Sequence, residues 1–258
     1  MKAFSTLVPA VLAASLCAAS LPAHAAVIAQ FQPAAGTADF RWVKSDGGTG
    51  GHLFSVSDPT SNVKQGVASH FTFFDPALAD MVFLPAVFTI DATVDEGNAA
   101  TFNDASKTFT QTGLTGSFHF TYSGADTTID GIALVNGEDL LSGDFTDAWI
   151  QGFNTSGSVN LTVGNGGSAT FKSAVADFSH AVDGSQAFAL NLLSVTPGFG
   201  AAKGKALDSF VGSGGGNLAQ DVAAGVPEPA TWGLMIVGFG GVGALMRSKR
   251  RRMAGALA

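Results

Sequence analysis

Cysteine is almost missing from this 258-residue sequence: its single copy, Cys17, lies within the first twenty-five residues. Tyrosine occurs once and tryptophan three times, and charged side chains make up only 13%. Each scarcity excludes something. A chain that loses its first segment keeps no thiol, so neither a disulfide framework nor a thiolate metal site can form. Stability must then come from a hydrophobic core, and about two hundred residues suffice to bury one. Between residues 26 and 226 there are seven basic side chains against nineteen acidic ones, a net charge near −12. Polyanions are repelled by such a surface, which removes nucleic acid from the candidate partners.

Two segments at the ends stand out from this acidic middle. Lys2 precedes an apolar run from Leu7 to Leu21, followed by Ala23-His24-Ala25. A short positive region, an apolar stretch and small residues in an A-x-A arrangement predict a signal peptide over 1–25, cut by signal peptidase after Ala25. Cys17 follows Leu16, where lipid attachment needs a small residue, so a lipoprotein is not expected. At the other end, Trp232 to Met246 carry no charge, and Arg247, Lys249, Arg250, Arg251 and Arg252 follow at once. Fifteen helical residues are short for a hydrocarbon layer about 30 Å thick, so the expected transmembrane helix is extended back to Ala230. The cation cluster is expected to stay cytoplasmic, which puts the bulk of the chain on the other side of the membrane.

Within that span Gly238, Gly240 and Gly243 spell GxGxxG. A dinucleotide site needs a strand before these glycines and an acidic residue about twenty positions later, and neither is here. They are better read as a small-residue face that permits close helix contact. Just ahead of the span, Pro227, Glu228 and Pro229 cannot be helix interior and read as an extended stalk.

The order VPEPATW, a short glycine-rich span and a terminal arginine cluster resembles the PEP-CTERM sorting signal in its PEPxxW variety, over about the last thirty residues. Gly233, where many members have Ala, and the tail beyond Arg252 depart from it slightly. The resemblance implies a Gram-negative bacterium and recognition by an exosortase, a membrane-embedded protease or transpeptidase. Processing would fall near Pro227, Glu228 and Pro229, with Trp232 part of the motif. The precursor would sit in the inner membrane with its main domain in the periplasm, then pass to the cell surface or medium, often alongside exopolysaccharide.

The middle of the chain reads as all-β. Phe88, Ile90, Ala92 and Val94 alternate with Thr89, Asp91, Thr93 and Asp95, and the same period of two recurs at Phe118, Phe120 and Tyr122, at Val159, Leu161 and Val163, and at Phe188, Leu190 and Leu192. Asn136-Gly137, Asn165-Gly166 and Asp183-Gly184 supply turns. The pattern predicts an antiparallel β-sandwich of jelly-roll type over 26–211, with Phe171 also in its core. The last strand is expected at 206–211 and a glycine-rich tether at 212–226, unless 215–221 adds an edge strand. The sorting signal then occupies 227–252: stalk, helix 230–246 and basic cluster 247–252.

Chemistry is sparse in this region. His52, His70, His119 and His180 have no GxSxG elbow to serve and form no HExxH pair. The expectation is a protein without catalytic residues, metal or cofactor. Asp126, Asp130, Glu138, Asp139, Asp144 and Asp147 are oxygen-rich enough to suggest Ca²⁺, but at no defined loop spacing. Thr108, Thr110 and Thr112 read as an exposed edge strand rather than an ice-binding plane, which needs the array repeated over several strands. Carbohydrate binding is the alternative function, with exopolysaccharide as partner, and Trp42, Trp149 and Tyr122 are its only platforms. Exposure of Trp42 or Trp149 on a concave sheet would favour it, and burial would favour a surface or matrix protein.

Overall fold

A computed structural model describes residues 26–34, 39–74, 78, 80–154, 159–163, 167–178 and 186–220, and their side chains except at 159–161. The strands are β1 Ala26–Pro33, β2 Phe40–Lys44, β3 Gly51–Ser55, β4 Val67–Phe73, β5 Leu84–Val94, β6 Thr101–Asn103, β7 Thr108–Tyr122, β8 Thr127–Ile129, β9 Ile132–Leu134, β10 Asp139–Phe153, β11 Val159–Thr162, β12 Ser168–Lys172, β13 Ala187–Thr196 and β14 Phe210–Gln220. All pairings are antiparallel.

Followed strand to strand, the hydrogen bonds run in a circuit. One edge of β5 pairs with β7, while its other edge pairs first with β4 and then with β3. From there β4 leads to β1 and β3 leads to β2, and both β1 and β2 pair with β14. The way back goes from β14 through β13, β11 and β10 to β7. Thus β12 continues the line of β11 along β10, β6 adds to β7, and β8 with β9 forms a separate hairpin. The all-β, antiparallel expectation holds. The two separate sheets of a jelly-roll sandwich do not: one sheet closes on itself as a barrel.

Closure requires strands that bend, and the sequence supplies the bends. Register shifts in β10 and β13 fall beside Asp147 and Ser194, both with positive φ. Such bulges kink a strand and raise its twist, which is how a flat ladder curls. Inside, the period-two residues meet. Leu84, Ala86, Phe88, Ile90, Ala92 and Val94 of β5 are all buried, as are Phe118, Phe120 and Tyr122 of β7 and Phe188, Leu190 and Leu192 of β13. Phe171 and Val163 are buried too, whereas the side chain of Leu161 lies outside the described residues. Phe120 lies between Phe88 at 4.5 Å and Phe31 and Phe71 at 4.7 Å, and Phe118 stacks on Phe188 at 4.6 Å. Aromatic rings at these separations gain from offset and edge contacts beyond their area alone.

The expected tether is corrected by the structure. Residues 212–220 belong to β14, which is central rather than an edge, with β13 on one side and β1 and β2 on the other. The expected strand at 206–211 contributes only its last two residues, with Leu207 in an isolated bridge to Ala201. The glycines permit close approach. A Cβ on Gly214 would stand 2.1 Å from the Asn191 carbonyl oxygen, and one on Gly216 would stand 2.2 Å from that of Ala189 and 2.7 Å from the Phe31 ring. Thr108 is corrected as well: β7 runs between β6 and β10 there, so Thr108 is buried and Thr110 accepts from the Gln151 amide at 2.9 Å.

Gly216→Ala should therefore destabilise the barrel by about 1–3 kcal/mol, the usual range for overpacking. Asn217→Ala, one residue on and exposed, should stay within about 0.5 kcal/mol. Urea denaturation of the two variants decides it: equal midpoints would remove the close-approach explanation.

Candidate functional site

The expected signal residues Pro227, Glu228, Pro229 and Trp232, and the cations Arg247, Lys249, Arg250, Arg251 and Arg252, lie outside the described residues, as do the segment 1–25 and the helix expected at 230–246. Among the described residues no helix is long and apolar enough to cross a membrane. What the structure does fix is where the chain enters and leaves the barrel. Ala26, the first residue after the expected cleavage, pairs with Gln220, the last residue of β14. Entry and exit are therefore adjacent strands at one end of the barrel. Whatever precedes Ala26 and whatever follows Gln220 starts from the same place.

Toward the other end of β14, beside Gly212 and Gly214, sits a buried carboxylate. The Asp39 N–H donates to the Gly212 carbonyl at 2.9 Å, and its own carbonyl accepts from Val56. Its side chain is only 3% exposed, accepts from the Gly214 backbone, and has one oxygen, Oδ2, without a partner among the described residues. Burial raises its pKa, and the Gly214 bond only partly offsets this.

Candidate binding chemistry elsewhere is modest. On the outer face, Asp91 receives His52 Nε2 at 2.7 Å and Lys64 Nζ at 2.8 Å. Burial pushes its carboxyl up, but Lys64 and His52 together outweigh this and hold it below the usual range. His52 lines a cleft of about 410 Å³ with Lys44, Ser45, Asn62, Thr93 and Glu96. No nucleophile is hydrogen-bonded to the His52–Asp91 pair among the described residues. His119 is exposed on β7, as its place in the polar phase requires, and His180 lies outside the described residues.

The platforms for sugar are largely spent. Trp42 is fully buried, and its indole N–H donates to the Leu207 carbonyl at 3.0 Å. Tyr122 is buried with its hydroxyl on the Ala125 carbonyl, and Trp149 is half-buried. The clustered acids cap turns instead of converging. Asp126 accepts from the Asn136 N–H, Asp130 from Asp80, Glu138 from Val135, and Asp139 from the Ser142 hydroxyl. Among the described residues no three His, Cys, Asp or Glu side chains are placed to hold a metal ion.

Comparison with known families finds the PEP-CTERM protein-sorting motif at residues 225–252. The chain carries a PEP-CTERM sorting signal, and that motif supports an exported protein sorted by an exosortase. No curated protein and no solved structure matches the chain. Only four residues separate Gln220 from the start of the motif. Sequence reasoning found the motif itself but not its attachment to the strand that closes the barrel.

The Asp39 site makes a pH prediction. With its folded pKa above the unfolded value of 3.8, the folded state holds an extra proton between the two values. Stability from this group is thus present at low pH and lost as pH rises through that window. Asp39→Asn should raise the melting temperature at neutral pH, with the gain vanishing below about pH 3.8, the unfolded value. Melting curves from pH 3 to 8 check this; a variant less stable at pH 7 would contradict it.

Proposed function

We propose that this protein is the cargo of an exosortase pathway: a non-enzymatic cell-surface or extracellular-matrix protein delivered by its C-terminal signal. The observation that carries the reading is the sorting motif at 225–252, joined within four residues to the closing strand of an acidic barrel. Signal peptidase removes 1–25 during export. Helix 230–246 holds the precursor in the inner membrane, and Arg247, Lys249, Arg250, Arg251 and Arg252 fix its depth from the cytoplasmic side. The barrel faces the periplasm until processing frees it for the cell surface or medium.

Pro227, Glu228 and Pro229 form the recognition element. Proline sets the backbone before binding, so an extended peptide enters a protease groove with less entropy to lose. Glu228 adds one negative charge at a defined register, a handle for a basic site in the enzyme. Trp232 marks the membrane interface. Against an exopolysaccharide-binding barrel stands the burial of Trp42 and Tyr122; in its favour is the open cleft around His52, where Ser45, Asn62 and Glu96 join apolar Val43 and Phe54.

Replacing Glu228 by Ala separates recognition from mere spacing, because a stiff spacer does not need a carboxylate. In cells carrying the sorting enzyme, the variant should accumulate as a membrane-bound precursor with a folded barrel, followed by immunoblot of membrane and medium fractions. Release at the wild-type rate would reject the recognition role.

A further inference from the structure

Exposed large apolar side chains gather at the end of the barrel where both termini emerge. Val27 lies one residue inside β1, and Phe74 follows β4, its N–H donating to the Ile28 carbonyl at 2.8 Å. Val82 and Phe83 immediately precede β5, with the Phe83 N–H on Thr72 Oγ1 at 3.1 Å. A hydrogen bond from the Asp80 N–H to Asp130 joins this loop to the loop carrying Val135, which is also exposed. Phe83 is 62% exposed, and Phe74 is 49% exposed. Phe153 and Leu193 are exposed at the opposite end, where Phe102 leans on Phe109 at 4.7 Å.

Phe83 is unusual in a second way. Its φ is +53°, a conformation a bulky side chain adopts only against its own sterics. A strained backbone that leaves most of an aromatic ring in solvent, with the His70 ring edge-on to it at 6.3 Å, points to a use for the ring outside the fold.

The length of chain beyond Gln220 says what covers this face. Nine residues lie between Gln220 and Ala230, where the expected span begins, and nine residues reach at most about 30 Å. The terminal end of the barrel is thus tethered within about 30 Å of the bilayer, a short tether that makes docking effectively intramolecular. We propose that Val27, Phe74, Val82 and Phe83 form a membrane-docking face that seats the anchored precursor on the lipid interface. Aromatic and aliphatic side chains at such an end enter the boundary between headgroups and acyl chains. Among the described residues at this end Asp80, Asp126, Asp130, Glu138 and Asp139 are acidic and Lys172 is basic, so the docking is carried by the apolar side chains and needs no anionic lipid. Docking holds the barrel upright over the stalk and sets the height at which Pro227, Glu228 and Pro229 meet a membrane-embedded enzyme.

The inference rests on the C-terminal helix anchoring the chain, and one experiment tests both separately. The full mature chain, produced with Cys17→Ser in its leader, is reconstituted in phosphatidylcholine vesicles and spin-labelled at Val82→Cys or, at the opposite end, Phe153→Cys. Flotation with the vesicles tests anchoring: a chain that stays at the bottom of the gradient overturns the anchoring reading and the docking with it. In floated protein, the ratio of oxygen to nickel-chelate accessibility should be several-fold higher at 82 than at 153, and unchanged by salt. Adding Phe74→Ser and Phe83→Ser should return the label at 82 to the value at 153 while flotation persists. Floated protein with equal accessibility at 82 and 153 overturns docking but leaves anchoring standing. Concentration-dependent spin–spin broadening at 82 also overturns it, since a second copy then covers the face.

Discussion

The barrel depends on one insertion: β14 fills the gap between β13 and the two strands β1 and β2. Without it the circuit from β5 through β4 and β1, and through β3 and β2, has no route back to β13. Its inward positions are Gly212, Gly214, Gly216, Leu218 and Gln220. Three glycines in a row on the inner face leave the space that large rings occupy, and Phe31 lies against Gly216. Phe31 in turn touches Phe88 and Phe120, on strands reached from β1 through β4, and Phe188, on the strand beyond β14. Many phenylalanines and a glycine strand are therefore two halves of one packing solution. Interiors at crystal-like density admit no second set of side chains there.

That insertion also separates folding from sorting. The last strand ends at Gln220 and the sorting motif begins at 225, so all the hydrogen bonds that close the barrel are made upstream of the signal. Cutting the stalk near Pro227 to Pro229 removes none of the described strands. A cargo that must be severed from its anchor without unfolding needs this arrangement. The adjacency of Ala26 and Gln220 extends the point to the other end, because a leader removed before Ala26 likewise leaves β1 entire.

Much of the inner face was legible in the sequence because a strand's side chains alternate with a period of two. Phe88, Ile90, Phe118, Phe120, Phe188 and Leu190 were all assigned inward and all are buried. Closure was not legible. Which strand pairs with which is decided by contacts far apart in sequence, as between Trp42 and the Leu207 carbonyl, 165 residues away. Glycine was the main source of error, since residues 212–216 carry almost no side chains and show no hydrophobic period, whether they lie in a tether or a central strand. The sorting signal was legible for the opposite reason: stalk, apolar span and cation cluster are three unlike chemistries in fixed order. The apolar face around Phe83 left no trace in the sequence, because its members come from three separate segments that only the fold brings to one end.

The central claim is that a complete barrel is released from its anchor just below its closing strand. Intact-mass measurement of the mature protein from the cell surface or medium tests it most directly. The account predicts a chain that begins at Ala26 and ends between Asp221 and Trp232, found only in cells that carry the sorting enzyme. A mass that retains the arginine cluster, or a C-terminus upstream of Gln220 that removes part of β14, would contradict it.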